Sequence, residues 1–194
     1  MSSKDLKTAA DQGDAEAMYN YGLMLYEGEE VPVDKQEAAR YYKMAADKGN
    51  SNAMFNYAGM LHEGDGIPVD KQKAVQYYQM AADHGDMGAI YHCAAMYHSG
   101  DGVPVDREKS AQYIKMAADK GNTEAMCNYA LMLKIGDGIP VNKEESARYY
   151  KNAADKGDKS AMFSYGMILA RGDGIPVNRE EAERYLRMAT AQTE

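Results

Sequence analysis

The side chains best able to ligate a metal or attack a carbonyl are four histidines, His62, His84, His92 and His98, and two cysteines, Cys93 and Cys127. A zinc-like ion needs its nitrogen or sulfur ligands about 2 Å away. His62 and His98 lie 36 residues apart. On equivalent helices of neighbouring repeats they would stand about 10 Å apart, too far to share one ion. His92 and Cys93 are adjacent in sequence, so a helix points them in different directions. A His92–Cys127 pair across neighbouring repeats is the arrangement on which a hydrolase or metal-binding reading can be built. Cys93 reads instead as a small buried apolar residue. No nucleophile with a positioned base is visible, and no phosphate loop. The expectation is no catalytic residue, no metal and no cofactor.

The elements that would position these groups are set by a repeat. The five prolines, Pro32, Pro68, Pro104, Pro140 and Pro176, are each 36 residues after the last. Ala9-Ala10-Asp11-Gln12-Gly13 returns as Ala45 to Gly49, Ala81 to Gly85, Ala117 to Gly121 and Ala153 to Gly157. These marks divide the chain into repeats at 14–49, 50–85, 86–121, 122–157 and 158–194, preceded by a partial repeat at 1–13 that forms the tail of a second helix. Self-similarity at this period marks a stacked array, in which one unit cannot bury its apolar face alone.

Each repeat opens on Asp14, Asn50, Asp86, Asn122 or Asp158, short polar residues suited to cap a helix. An apolar stripe follows at helical spacing, as in Met18, Tyr21, Gly22 and Leu25. This first helix, helix A, stops at Gly28, Gly64, Gly100, Gly136 or Gly172. A proline loop leads to a second cap at Asp34, Asp70, Asp106, Asn142 or Asn178. Glu37, Glu145 and Glu181 stand three residues later, the spacing of a capping box. Helix B then runs to the next glycine, and the last copy should extend over 178–192. Two helices per unit and no strand signal predict an all-α fold, a right-handed α-solenoid of helix-turn-helix repeats forming one continuous domain.

Charge and composition remove several function classes. The net charge is −8 and the pI about 5.1, opposite to the basic face that nucleic-acid binding requires. No run of 18 apolar residues is long enough to cross a membrane. The opening Met1-Ser2-Ser3-Lys4-Asp5-Leu6 lacks the apolar core of a signal peptide. Two cysteines give no disulfide framework and point to a reducing, cytoplasmic setting.

The motif residues resemble Sel1-like repeats, relatives of the tetratricopeptide repeat. The second repeat carries the likeness at Ala53, Gly64, Gly66, Ile67, Asp70, Lys73-Ala74, Tyr78 and Ala81-Ala82. It departs where Tyr57 replaces the family's Leu, Leu61 its Tyr, and Tyr77 its Trp. The resemblance implies an interaction scaffold or adaptor rather than an enzyme. It also implies that helix A lines the concave side, where a protein or peptide partner would bind. A cysteine-rich branch of the family is associated with β-lactam binding or hydrolysis. That branch carries a paired cysteine in each repeat, which this chain lacks.

The five repeats also serve as their own alignment. The rows Met18, Met54, Ile90, Met126, Met162 and Met24, Met60, Met96, Met132, Ile168 stay apolar and read as core. Other helix A rows vary freely: Glu16, Asn52, Gly88, Glu124, Ser160; Tyr26, His62, His98, Lys134, Ala170; and Glu27, Glu63, Ser99, Ile135, Arg171. Two rows suit recognition. Tyr19, Phe55, Tyr91, Cys127 and Phe163 form a largely aromatic row, able to give contact area at low entropy cost. Asn20, Asn56, His92, Asn128 and Ser164 form a polar row whose amides can hold a peptide backbone. Tetratricopeptide repeats use an Asn at the matching place for this purpose. With His62, His98 and Lys134 these make the expected partner-binding face. The bland alternative is that the aromatics pack on neighbouring helices and the amides bridge repeats.

Three places break the pattern. Glu30 replaces the loop glycine of the other repeats, which predicts a strained or different loop. Asp47, Asp83, Asp119 and Asp155 oppose the dipole in the last turn of helix B, so each needs a compensating bond, here expected from amides of the following helix A. The final helix has no successor to cover it, leaving Met188 open. The partial front repeat and uncovered end fit a fragment of a longer array, end-to-end self-association or an engineered repeat scaffold.

Overall fold

The computed structural model describes residues 2–191, and among these the chain forms eleven α-helices and no strand. One unit, residues 1–105, contains α1 (Ser3–Asp11), α2 (Ala15–Glu27), α3 (Lys35–Asp47), α4 (Ser51–Glu63), α5 (Lys71–Asp83) and α6 (Met87–Ser99). The other, residues 106–194, contains α7 (Arg107–Asp119), α8 (Thr123–Ile135), α9 (Lys143–Asp155), α10 (Lys159–Arg171) and α11 (Arg179–Thr190). Helix A of successive repeats is α2, α4, α6, α8 and α10. The end expected at residue 192 for the last helix lies outside the described residues.

The local chemistry sets these bounds. Asp14, Asn50, Asp86, Asn122 and Asp158 each accept a bond from the amide three residues on, capping helix A at 2.7–2.9 Å. The C-terminal glycines adopt φ between 71° and 80°, the left-handed stop. The full capping box expected at helix B does not form. Asp34, Asp70, Asn142 and Asn178 use their backbone amides to bond Leu25, Leu61, Leu133 and Leu169 of the preceding helix A. With that donor taken, Glu145 and Glu181 accept from the side chains of Asn142 and Asn178 instead, and Glu37 pairs with Arg40. The reciprocal box occurs at Ser2 and Asp5.

The family's Leu and Trp positions are replaced together. Tyr57 of α4 meets Tyr77 of α5 edge to face, centroids 4.8 Å apart. Tyr21–Tyr41, Tyr129–Tyr149 and Tyr165–Tyr185 repeat that geometry at 4.9 Å. An edge-to-face pair aligns the positive rim of one ring with the negative face of the other, worth about 0.5–1.5 kcal/mol beyond area burial. The Met18 row is buried throughout; in the Met24 row, Met24 itself is only half-buried.

Within each unit, tyrosine hydroxyls tie a helix B to the end of the helix B before it. Tyr41 donates to Asp11, Tyr77 to Asp47, Tyr149 to Asp119 and Tyr185 to Asp155, at 2.8, 3.3, 2.7 and 2.6 Å. Asp47, Asp119 and Asp155 also hold Lys43, Lys115 and Lys151, one helical turn earlier, at 2.6 Å. The compensating partners are thus a tyrosine and a lysine. Asn50, Asn122 and Asp158, not these aspartates, cap the following helix A through the amides of Ala53, Ala125 and Ala161.

Glu30 has φ 59°, the one non-glycine in the left-handed region among the described residues. Elsewhere the loop glycine abuts the preceding helix B: a Cβ on Gly66 would lie 2.3 Å from Lys35 Cβ, and one on Gly174 2.5 Å from the Lys143 carbonyl carbon. Glu30 is exposed, and its carboxylate accepts from the Ser3 amide at 3.0 Å. That bond at the start of α1 offsets part of the backbone strain. Met188 on α11 is 44% exposed, as expected for an uncovered last helix.

Candidate functional site

The loop after helix A is fixed before any partner arrives. Asp65 accepts from Lys35 at 2.6 Å and from the Tyr26 hydroxyl at 2.7 Å. Asp101 accepts from Lys71 at 2.6 Å and lies 2.7 Å from His62 Nε2. In the second unit, Arg107 holds Asp137 at 2.9 Å and Lys143 holds Asp173 at 2.7 Å. Hydrogen bonds from the lysines, then from Tyr26 and His62, hold the Asp65 and Asp101 carboxyls below the usual range. Burial opposes the charge on His62, but its bonds to Asp101 and Glu63 outweigh that and raise its pKa. Tyr26 and His62, two residue types on one row, thus meet the loop aspartate of the following repeat in the same way.

The aromatic row is part packing and part surface. Tyr19 lies against Tyr42 with centroids 5.9 Å apart. Phe55 sits 5.6 Å from both Tyr78 and His92. Tyr91 is half-buried, whereas Phe163 is 53% exposed. The half-buried Cys127 thiol is pushed up to about 11, by burial first and then by Asp158, whose carboxylate lies 3.9 Å away. Such a thiol is protonated at neutral pH and is a poor nucleophile.

The polar row divides similarly. Asn20 makes a long bond to Glu16 at 3.5 Å. Asn56 is half-buried and Asn128 exposed. His92 lies flat on Tyr78, centroids 4.5 Å apart and planes 1° from parallel, and burial lowers its pKa. Among the described residues no group of three or more His, Cys, Asp or Glu is placed to hold a metal ion. His98 and Lys134 are exposed on helix A, in different units.

Two clefts open on the helix A side, one within each unit. The first, about 500 Å³, is lined by Leu23, Tyr26 and Glu27 of α2, by Tyr42 of α3, by Phe55, Asn56, Gly59, Met60 and Glu63 of α4, and by Asp65. The second, about 320 Å³, is lined by Lys134, Tyr150, Phe163, Ser164, Met167, Ile168, Arg171 and Asp173. Each residue of the second cleft sits 108 positions after one of the first, so the clefts are the same site three repeats apart. At the junction between them in sequence, α4 with α6, the His92 ring covers Tyr78, the counterpart of Tyr42.

Of the residues expected on a partner-binding face, Phe55, Asn56, Lys134, Phe163 and Ser164 line these clefts. Sequence comparison of the repeats left out Tyr42, Tyr150 and the row Leu23, Gly59, Ala95, Leu131, Met167. That row runs from no side chain to a large one, and this size variation was the available signal. Glu27, Glu63 and Arg171 were visible as variable but not as rims of a cleft.

Five copies of the Sel1 repeat family model match residues 15–50, 51–86, 88–122, 123–158 and 159–193. Among solved structures, the chain is similar to c5321, a protective antigen of uropathogenic Escherichia coli displaying an SLR fold, with TM-score 0.81 and 29% identity over 95% of this chain and 39% of that one. It is also similar to a Sel1 repeat protein from Oxalobacter formigenes, with TM-score 0.76 and 23% identity over 96% of this chain and 82% of that one. Helicobacter pylori cysteine rich protein B shares the fold more loosely, with TM-score 0.51 and 22% identity over 64% of this chain and 95% of that one. The chain thus spans well under half of the E. coli antigen's length. Comparison with curated proteins gives no match. No described helix is long and apolar enough to cross a membrane.

Proposed function

We propose that this chain, which belongs to the Sel1 repeat family, is a non-enzymatic scaffold that binds a peptide or protein segment on the face carried by helix A. Sel1 repeat proteins are in general protein-interaction scaffolds. The helix A face is the concave side in the related tetratricopeptide repeats. The observation that carries the assignment is a division of labour among side chains. Tyr41, Tyr77, Tyr149 and Tyr185 and their aspartates are consumed in ties between repeats, while the variable helix A rows line open clefts. Exposed Phe163, Leu131 and Ile135 add apolar area on helix A of the second unit, the kind of surface that partners cover. Two cysteines with no disulfide among the described residues suit a reducing compartment, and the cytoplasm is the proposed location.

The test is affinity capture with the full chain against an Asn56→Ala/Asn128→Ala variant and a Phe55→Ala/Phe163→Ala variant. Partner recovery should fall for both while helicity and melting of the asparagine variant stay unchanged. Equal loss of binding and stability in the asparagine variant would make those residues structural and defeat the reading.

A further inference from the structure

The first cleft carries a chemical preference of its own. Its walls are apolar at Leu23, Phe55 and Met60, and Glu27 and Glu63 stand on its rim, Glu63 meeting His62 Nδ1 through Oε1 at 2.8 Å. No lysine or arginine lines it; the nearby Lys35 is committed to Asp65. At its base Tyr42 is 1% exposed, and its hydroxyl makes no hydrogen bond. A buried hydroxyl without a partner is costly, so a site built around one is incomplete. The neighbouring Asn56 amide is near enough to favour the ionised form of Tyr42, although burial dominates and pushes the phenol up. A small turn of that amide would let Asn56 Nδ2 donate to the Tyr42 oxygen and leave Asn56 Oδ1 facing the cleft as an acceptor.

We propose that this cleft binds a lysine or arginine side chain of the partner, its methylene stem on Leu23, Phe55 and Met60 and its cationic head at Glu27, Glu63 and the Asn56 carbonyl. This rests on the helix A face being the binding surface and names what the face selects. Long cationic side chains lay their stems on apolar walls while their heads seek carboxylates. The equivalent cleft in the second unit makes the contrast: Lys134 and Arg171 stand on its rim where the first has Tyr26 and Glu63. It lacks the features that attract a cation. Gly59 leaves the first cleft open, since a Cβ there would touch only the Tyr78 hydroxyl at 3.6 Å. Met167 fills the same place in the second.

The probes are three acetylated, amidated tripeptides, Gly-Arg-Gly, Gly-norleucine-Gly and Gly-Glu-Gly, titrated into the isotope-labelled full chain and followed by amide shifts. The arginine peptide should shift residues 56–63 and bind about tenfold more tightly than the norleucine peptide at low salt, an advantage lost in high salt as two exposed ion pairs are screened. It should leave residues 164–171 unmoved. Glu27→Gln/Glu63→Gln should reduce its affinity to that of norleucine. Tyr42→Phe should weaken it several-fold while melting stays unchanged or rises, and Gly59→Met should abolish it with the fold intact. Equal binding of all three peptides, or tighter binding of the glutamate peptide at residues 56–63, overturns the cationic preference while leaving the helix A face in use. No shift at residues 56–63 from any peptide overturns the cleft as an anchor. Failure of the face as a whole shows separately, as capture unaffected by Asn56→Ala/Asn128→Ala.

Discussion

The cleft of the first unit and its counterpart three repeats later share a scaffold and differ in nearly everything that faces a partner. Both have a buried tyrosine at the base, Tyr42 or Tyr150; both have a phenylalanine on one wall, Phe55 or Phe163; both end on a loop aspartate held by a lysine, Asp65 with Lys35 or Asp173 with Lys143. Around that frame Tyr26 becomes Lys134, Asn56 becomes Ser164, Gly59 becomes Met167 and Glu63 becomes Arg171. The same backbone thus presents an open acidic cleft in one unit and a smaller basic one in the other. On the proposed binding face, the rows that would set specificity are not the rows that tie the repeats together.

Substitutions in the frame should break both regions alike and give the largest effects. Gly66→Ala and Gly174→Ala each force a side chain into the left-handed region, at φ 77° and 89°, and into the preceding helix. Each should cost more than about 2 kcal/mol, read by denaturant unfolding. A cost in only one unit would mean the loops are not equivalent.

The tyrosine ties come next and should distinguish the units. Tyr149 donates to Asp119 at 2.7 Å, whereas Tyr77 reaches Asp47 at 3.3 Å. Tyr149→Phe should cost about 1–2 kcal/mol and Tyr77→Phe less than half of that, measured as shifts in unfolding midpoint. Equal costs would show that the hydroxyl bonds do not set the strength of the ties.

A smaller effect should come from Glu30→Gly, which relieves the left-handed strain but loses the bond to the Ser3 amide. The net gain should be about 0.5–1 kcal/mol in thermal unfolding. A loss would show that the bond outweighs the strain.

The smallest effect is a pH dependence peculiar to the first unit. The folded pKa of His62 is raised, so its tie to Asp101 contributes fully below the unfolded value of about 6.5 and is lost as pH rises through the folded value. His62→Gln should therefore lower the melting temperature more at pH 5.5 than at pH 8.5. No histidine stands at the equivalent place in the second unit, where the residue is Lys134, so Lys134→Gln should give no such change.

Much of the fold was legible because each repeat restates it. The caps at Asp14 or Asn122 and the glycine stops at Gly28 or Gly136 are local chemistry, readable from residue type alone. The tyrosine partners of Asp47 and Asp155 were not, because Tyr77 and Tyr185 are 30 residues away and only packing brings them near. Glu37 and Glu145 fit the spacing of a capping box, but a long-range bond had already taken the donor the box requires. At the site, Phe55 and Asn56 stood out by type. Gly59 and Tyr42 did not, since one contributes empty space and the other an unpartnered atom, and neither property belongs to a residue taken singly.

The most direct measurement of the central claim, that the variable row sets specificity on a fixed frame, is to transplant it. Gly59→Met/Glu63→Arg gives the first cleft two residues of the second. The arginine and glutamate tripeptides are then titrated against parent and variant, with melting followed in parallel. The expected result is an unchanged melting temperature, loss of arginine binding at residues 56–63 and a ranking shifted toward glutamate. An unchanged ranking in a folded variant, or a collapse of stability with the exchange, would contradict it.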